Sequence, residues 1–132
     1  MSKVLKLTIL TPDREFYKGE VVEVITESTL GGITILPDHM PLITTLRPAD
    51  TVIVQGDNKQ LKAFTSVGIL EVKENGLRIL CDACEWPDEI DAARAQRAKS
   101  RAKKRLANRD GVDVKRAELA LARALARINL KQ

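Results

Sequence analysis

Apolar residues over positions 3–86 come in short runs rich in Val, Ile, Leu and Thr, and turn-forming residues interrupt them at short intervals. The runs fall at 4–10, 21–26, 32–36, 42–46, 51–55, 61–72 and 77–81. Between them stand Thr11-Pro12-Asp13, Gly31-Gly32, Pro37-Asp38, Arg47-Pro48, Gly56-Asp57-Asn58 and Glu74-Asn75-Gly76. Short β-branched runs with regular turn punctuation predict strands packed as a sandwich or barrel. Asn75 and Gly76 both tolerate the positive φ of a type I′ turn, so a tight hairpin is expected there.

After Trp86-Pro87 the composition changes to Ala, Arg, Lys and Leu, all good helix formers, with one interruption at Asn108-Arg109-Asp110-Gly111. This pattern predicts a helical hairpin. Asp88, with Asp91 three residues on, has the spacing to cap the first helix, Asp91 has a competing structural role as helix cap, and Asp110 or Asp113 can start the second. At the helical period, Ala95, Ala98, Ala102 and Leu106 form one seam and Ala117, Ala120, Ala124 and Ile128 the other. Arg94, Arg101 and Arg105 flank the first seam; Arg116, Arg123 and Arg127 flank the second. Alanines bury little area, so at ~25 cal/mol per Å² the hairpin is held weakly and reads as a moving part.

The chain has 132 residues, enough for one core and an appendage. Positions 1–10 alternate Lys with aliphatics, and no apolar run approaches the ~20 residues that cross a bilayer. A soluble, unprocessed intracellular protein is expected. Cys81 and Cys84 are too few for a disulfide framework, which fits a reducing compartment. The net charge of +4 is unevenly spread: positions 88–132 hold 13 Lys+Arg against 6 Asp+Glu, and positions 1–87 hold 9 against 12. The two parts therefore face different partners.

No GxxxxGK[ST] loop, GxGxxG turn or HExxH helix occurs, so no catalytic residue is assigned. Cys81-x-x-Cys84 has the spacing of half a zinc site, but a metal needs two more ligands and only the distant His39 offers itself. Two small hydrophobes at a strand end is the stronger reading, and no metal site is expected. His39 is bracketed by Pro37 and Pro41 and reads as a structural turn residue. The arginine-flanked seams fit a solvated surface, a phosphate cluster or a patch for an acidic partner. Arg in place of Lys at all six flanking positions favours phosphate, because guanidinium binds phosphate oxygens in a bidentate manner. Nucleic acid is disfavoured, since the basic segment has no aromatic residue after Trp86 for stacking.

Strands followed by an Ala/Arg hairpin resemble the epsilon subunits of F-type ATP synthases over essentially the whole chain. Three motifs carry the likeness. Gly32-Ile33-Thr34-Ile35-Leu36-Pro37-Asp38-His39-Met40-Pro41-Leu42 is similar to the family's glycine-rich LPxHxPL segment. Ser66-Val67-Gly68-Ile69-Leu70-Glu71-Val72 is similar to a strand motif that usually carries two glycines, and Ile90-Asp91-Ala92-Ala93-Arg94-Ala95 to the family's IDxxRA motif. Thr34, Asp38 and Val67 depart from the pattern.

The resemblance implies a ten-stranded β-sandwich at 1–87 followed by a two-helix antiparallel hairpin at 88–132. It implies that the sandwich touches the gamma subunit and the c-ring, coupling rotor to ring. It also implies that the hairpin either folds on the sandwich or extends toward the catalytic alpha and beta subunits and restrains ATP hydrolysis. No cofactor is required, and ATP enters as a regulatory ligand that favours the folded hairpin. The positions matching the family's ATP site are Glu85, Ile90 and Asp91 toward the nucleoside, with Arg94, Arg101, Arg123 and Arg127 toward the phosphates. The implied role is a non-enzymatic regulatory subunit of a proton- or sodium-translocating complex, peripheral on the cytoplasmic face of the plasma membrane. A free-standing ATP-sensing module is the alternative, and a basic hairpin that binds nucleic acid ranks last.

Overall fold

A computed structural model describes residues 3–74 and 76–131. Among them, nine strands precede two helices. The strands are β1 (Leu5–Leu10), β2 (Glu15–Ser28), β3 (Gly31–Ile35), β4 (Leu42–Leu46), β5 (Ala49–Gln55), β6 (Gln60–Thr65), β7 (Gly68–Lys73), β8 (Gly76–Cys81) and β9 (Cys84–Glu85). A 3₁₀ turn at Pro87–Glu89 leads to α1 (Ala92–Ala107) and α2 (Val114–Lys131).

The 14-residue β2 organises the sheet. Its first half pairs antiparallel with β1, from Leu5 opposite Val21 to Leu10 opposite Glu15. Its second half pairs with β3 on one edge and β5 on the other. The register shifts between Val21 and Glu23, so β2 serves as two strands in space, and cutting it there reconciles nine strands with ten. The expected run at 21–26 is therefore only the end of β2: from Glu15 to Glu20 only Phe16 is buried, and the polar alternation hides the strand. The expected run at 61–72 is two strands, because the chain turns at Ser66-Val67.

Strand β1 also pairs in parallel with β8, β8 with β7, β7 with β4, and β4 with β2 through Ser28 opposite Leu46. These five strands close a ring. Leu5, Leu7 and Ile9 of β1, Val21 and Val24 of β2, Leu70, Leu77 and Ile79 fill the interior. At ~25 cal/mol per Å², this apolar burial is the main stabilising term of the strand-rich part. Three buried threonines cross β2, β5 and β6: Thr26 to Thr51 at 2.8 Å and Thr51 to Thr65 at 2.7 Å between hydroxyl oxygens. Each hydroxyl is satisfied by its neighbour, which removes the cost of burying it.

The turn expected at Asn75-Gly76 lies partly outside the described residues, at Asn75; beside it, Lys73 stands opposite Gly76. Asp91, not Asp88, caps α1, because the 3₁₀ turn consumes positions 87–89. Its Oδ1 accepts the Arg94 N–H at 3.0 Å, and Asp113 Oδ1 accepts the Arg116 N–H at 3.1 Å to cap α2. Gly111 turns the chain between the helices at φ +69, a conformation that glycine adopts without a Cβ penalty.

Gly68 opens β7 directly against the Leu80 carbonyl and Cys81 Cα, and a Cβ there would overlap both. Gly68→Ala should therefore destabilise the sandwich by ~1–3 kcal/mol, the usual cost of overpacking. Urea unfolding of the full chain should show a lower midpoint at unchanged slope; an unchanged midpoint would mean that the β7–β8 ladder absorbs the methyl.

Candidate functional site

Helix α2 lies against β5 and β6, and α1 packs on α2 and stands off the sheet. Ala95, Ala102, Ala117 and Ala124, each no more than 3 % exposed, form the contact between the helices. Both predicted seams are thus buried at their centres. Small side chains let the axes approach and push the longer arginines to the flanks of the seam.

Polar contacts fix α2 to the sheet. Arg127 Nε donates to Glu85 Oε1 at 2.6 Å, and its guanidinium carbon stacks 4.3 Å from the Phe64 ring centroid. Arg123 Nε donates to Ser66 Oγ at 3.1 Å and lies 3.8 Å from Asp82. Asn129 Nδ2 donates to Asp50 Oδ2 at 2.6 Å, and Lys131 Nζ to the Pro87 carbonyl at 2.9 Å. Both members of the Arg127–Glu85 pair are about 30 % exposed at their side chains, so water screens the pair only in part.

A recess of about 580 Å³ opens where α1, α2 and the end of the sandwich meet. Glu85, Asp91, Arg94, Arg101 and Arg127 line it, five of the seven positions implied by the resemblance. Ile90 is buried, next to the recess in sequence but not on its wall. Arg123 is turned toward Ser66 and Asp82 and is likewise absent from the wall. Arg105 and Arg116 line a different recess, at the hairpin's turn.

Asp13 and Glu89 also line the site and were not expected from the sequence. Asp13 arrives through the β1–β2 turn, remote in sequence, and no local pattern marks it. Glu89 accepts from the Trp86 N–H at 2.9 Å and from Arg14 at 2.7 Å. The hydrogen bond from Arg14, then that from the Trp86 backbone, holds the Glu89 carboxyl below its ordinary range, and the Arg14 guanidinium is raised in return. A depressed carboxylate supports the structure at neutral pH and loses that contribution as acid protonates it. Arg14 also donates to the Cys84 carbonyl at 3.3 Å, and Trp86 stacks on Phe16 at 4.3 Å, so the start of the linker is tied to the sandwich.

The recess combines carboxylates, which accept from hydroxyl and amino groups, with guanidiniums, which donate to anions. Arg94 and Arg101 are exposed and have no ion-pair partner among the described residues. Such an arrangement fits a ligand with hydrogen-bond donors at one end and negative charge at the other.

The cysteines belong to the core: Cys81 ends β8, Cys84 opens β9, and both are buried thiols. The hydrogen bond to Cys81, then burial, pushes the Cys84 thiol up, which disfavours the thiolate. No cluster of three or more His, Cys, Asp or Glu is placed to hold a metal among the described residues. His39 closes a turn, its N–H on the Leu36 carbonyl at 2.9 Å and its Nδ1 donating to the Met40 carbonyl at 2.8 Å. No described helix is long and apolar enough to cross a membrane.

The family model of the ATP synthase delta/epsilon chain β-sandwich domain matches residues 4–87, and that of the delta/epsilon chain long α-helix domain matches residues 88–132. The chain is 72 % identical over 130 residues to the ATP synthase epsilon chain of Clostridium kluyveri, covering 98 % of each. It is 45 % identical over 131 residues to that of Caldanaerobacter subterraneus, covering 98 % of this chain and 95 % of the relative. A chain in the OSCP/F1/c-ring structure of Euglena gracilis mitochondrial ATP synthase shares the fold, with a TM-score of 0.83 at 18 % identity over 96 % of this chain and 79 % of that one.

Removing Arg127 takes away both the Glu85 pair and the stack on Phe64. Arg127→Ala should loosen the hairpin without unfolding the sandwich, and Arg127→Lys should be intermediate, because lysine keeps the charge and loses the planar stack. Amide hydrogen exchange should quicken in α1 and α2 and stay unchanged in β1 and β8. Equal protection in wild type and Arg127→Ala would show that this arginine does not hold the hairpin.

Proposed function

The chain belongs to the epsilon subunits of the F-type ATP synthases, components of the central stalk, and on that premise we propose that it is a non-catalytic regulator whose hairpin senses ATP. The observation that carries this reading is the recess between the helices and the sandwich. Three guanidiniums, from Arg94, Arg101 and Arg127, line it together with the carboxylates of Glu85 and Asp91, and these residues come from α1 and its cap, from α2 and from β9.

In this reading ATP binds in the docked state. Its triphosphate takes the guanidiniums of Arg94 and Arg101 and competes with Glu85 for Arg127, and the freed carboxylate accepts from the nucleoside. Asp91 already serves the Arg94 N–H through Oδ1, leaving Oδ2 for a ligand. Ile90 supports the wall from beneath, and Arg123 joins by exchanging Asp82 for phosphate, a pair that at 3.8 Å is loose. A ligand touching both helices and the sandwich stabilises the docked form in proportion to its occupancy. When ATP falls, the hairpin releases, extends along gamma toward the alpha and beta subunits, and restrains hydrolysis.

Coupling belongs to residues 1–87, which hold the closed ring of strands, and regulation to residues 88–132. The sandwich leaves Leu30, Met40 and Ile43 exposed at 95 %, 79 % and 69 %. Large apolar side chains left in water fit a contact with other subunits, here gamma and the c-ring. The subunit works at the cytoplasmic face of the membrane, carried there by those partners. Neither metal nor cofactor is required.

Saturating ATP should raise the melting temperature of the isolated chain, by ~2.7 kcal/mol of stabilisation at a hundredfold excess over Kd. Arg94→Ala with Arg101→Ala should abolish the rise while leaving the nucleotide-free melting temperature nearly unchanged, because both side chains are exposed and unpaired. A rise that survives the double substitution would place the nucleotide elsewhere.

Ending the chain at Pro87 separates the two assigned roles. The truncated subunit should still assemble with gamma and the c-ring and support synthesis, while the complex hydrolyses ATP faster than wild type. Loss of assembly would refute the division between sandwich and hairpin.

A further inference from the structure

Asp50 is the second residue of β5, under the last turns of α2. Its Oδ2 accepts from Asn129, and its Oδ1 is buried with no hydrogen-bond partner, the one such side-chain atom among the described residues. Leaving a buried carboxylate oxygen unpaired costs free energy, and the cost is much greater for the charged than for the neutral form.

The surroundings do little to relieve it. The α2 residues facing this seam are Ala122, Leu125, Ala126 and Asn129, none of which ionises. The cations of the second half of α2 are engaged elsewhere, Arg123 with Ser66 and Asp82, Arg127 with Glu85 and Lys131 with the Pro87 carbonyl, while Lys115 and Arg116 stand at the other end of the helix. From the sheet, Glu27 of β2 adds like charge and Lys62 of β6 adds attraction, and Arg47, which lines the same recess, lies 4.0 Å from Glu27. Docking α2 therefore covers a carboxylate with uncharged residues and gives it one hydrogen bond in exchange for water.

We propose that Asp50 is a proton-sensitive latch residue: α2 docks more tightly over its neutral form than over its carboxylate, so acidification holds the hairpin down. Burial holds the Asp50 carboxyl above the ordinary carboxylate range, against the hydrogen bond from Asn129 and the charge of Lys62. When α2 leaves, water returns and the carboxyl relaxes toward its ordinary value. A group whose affinity for protons is higher in the docked state favours docking in acid, and that contribution disappears as pH rises through its docked pKa. The direction is opposite to that of Glu89, whose contribution acid removes. The latch rests on the moving hairpin proposed above and adds a second input to it, independent of nucleotide.

The test uses the full chain, isotopically labelled, without nucleotide. The Asp50 carboxyl carbon is titrated by NMR, and protection factors, which correct for the intrinsic pH dependence of exchange, are measured for α2 amides in wild type and Asp50→Asn. The other carboxylates of the seam are common to both chains, so the difference isolates Asp50. We expect Asp50 to titrate above an ordinary carboxylate, Asp50→Asn to be several-fold better protected in α2 at neutral pH, and the gap to close in mild acid. Asn129→Ala, which removes the one donor, should lower protection most at neutral pH. Titration in the ordinary range, or no neutral-pH gain in Asp50→Asn, would overturn the latch while leaving a moving hairpin standing. Exchange of α2 only together with the sandwich core at every pH would overturn both.

Discussion

Four buried alanines set the terms for the rest of the hairpin. Because only methyl side chains stand on the facing surfaces at Ala95, Ala102, Ala117 and Ala124, α1 and α2 form one close-packed unit. That unit meets the sheet chiefly through α2, whose hydrogen bonds to it come from Arg123, Arg127 and Asn129. Ion pairs and single hydrogen bonds at a partly wet surface each contribute on the order of 1 kcal/mol. The hairpin is consequently tight within itself and held to the sheet by individually weak contacts, the arrangement that the proposed movement as one body requires. A leucine seam would have shifted the balance toward a fixed layer.

The position of Arg94 and Arg101 is a consequence of that constraint. Neither pairs with the sheet among the described residues; α1 carries them, α2 carries α1, and the recess is assembled from both helices and the end of the sandwich. A site assembled from parts that meet in one conformation binds its ligand and reports that conformation in the same step, since a ligand shifts an equilibrium only through its differential affinity for the states. The linker is treated differently. Trp86 on Phe16 and Glu89 on Arg14 fasten it to the sandwich, so the proposed movement would pivot beyond Ile90.

The helices were legible from composition alone, because a 3.6 period over Ala and Arg has no competing reading and the buried alanines fall on the predicted seams. Strand runs rich in Val, Ile and Leu were legible too, while Glu15–Glu20 was not: alternation of Glu, Tyr and Lys with a single buried Phe16 has no apolar run to show. The start of α1 was legible only to within one turn, because Asp88 and Asp91 can both cap it, and the 3₁₀ turn that decides for Asp91 is a tertiary choice, made by Arg14 gripping Glu89. In the recess, the arginines followed from face geometry, and Glu85 and Asp91 from motif resemblance. Asp13 and Asp50 were invisible, since what matters about each is a neighbour tens of positions away.

Closure of β1, β8, β7, β4 and β2 into a ring has a mechanical meaning for a body seated in a rotating stalk. An open sheet yields by peeling: a pull on its outer strand breaks one ladder rung after another, each at small force. In the ring β1 has neighbours on both sides, antiparallel on one and parallel on the other, so a tangential load must shear two ladders at once along their length. Stiffness against twist then comes from connectivity more than from the strength of any rung, and strain applied at one side of the sandwich reaches the other with little lost in deformation. The same closure leaves compliance concentrated where the ring does not extend, in the attached strands β5, β6 and β9 on which the hairpin rests.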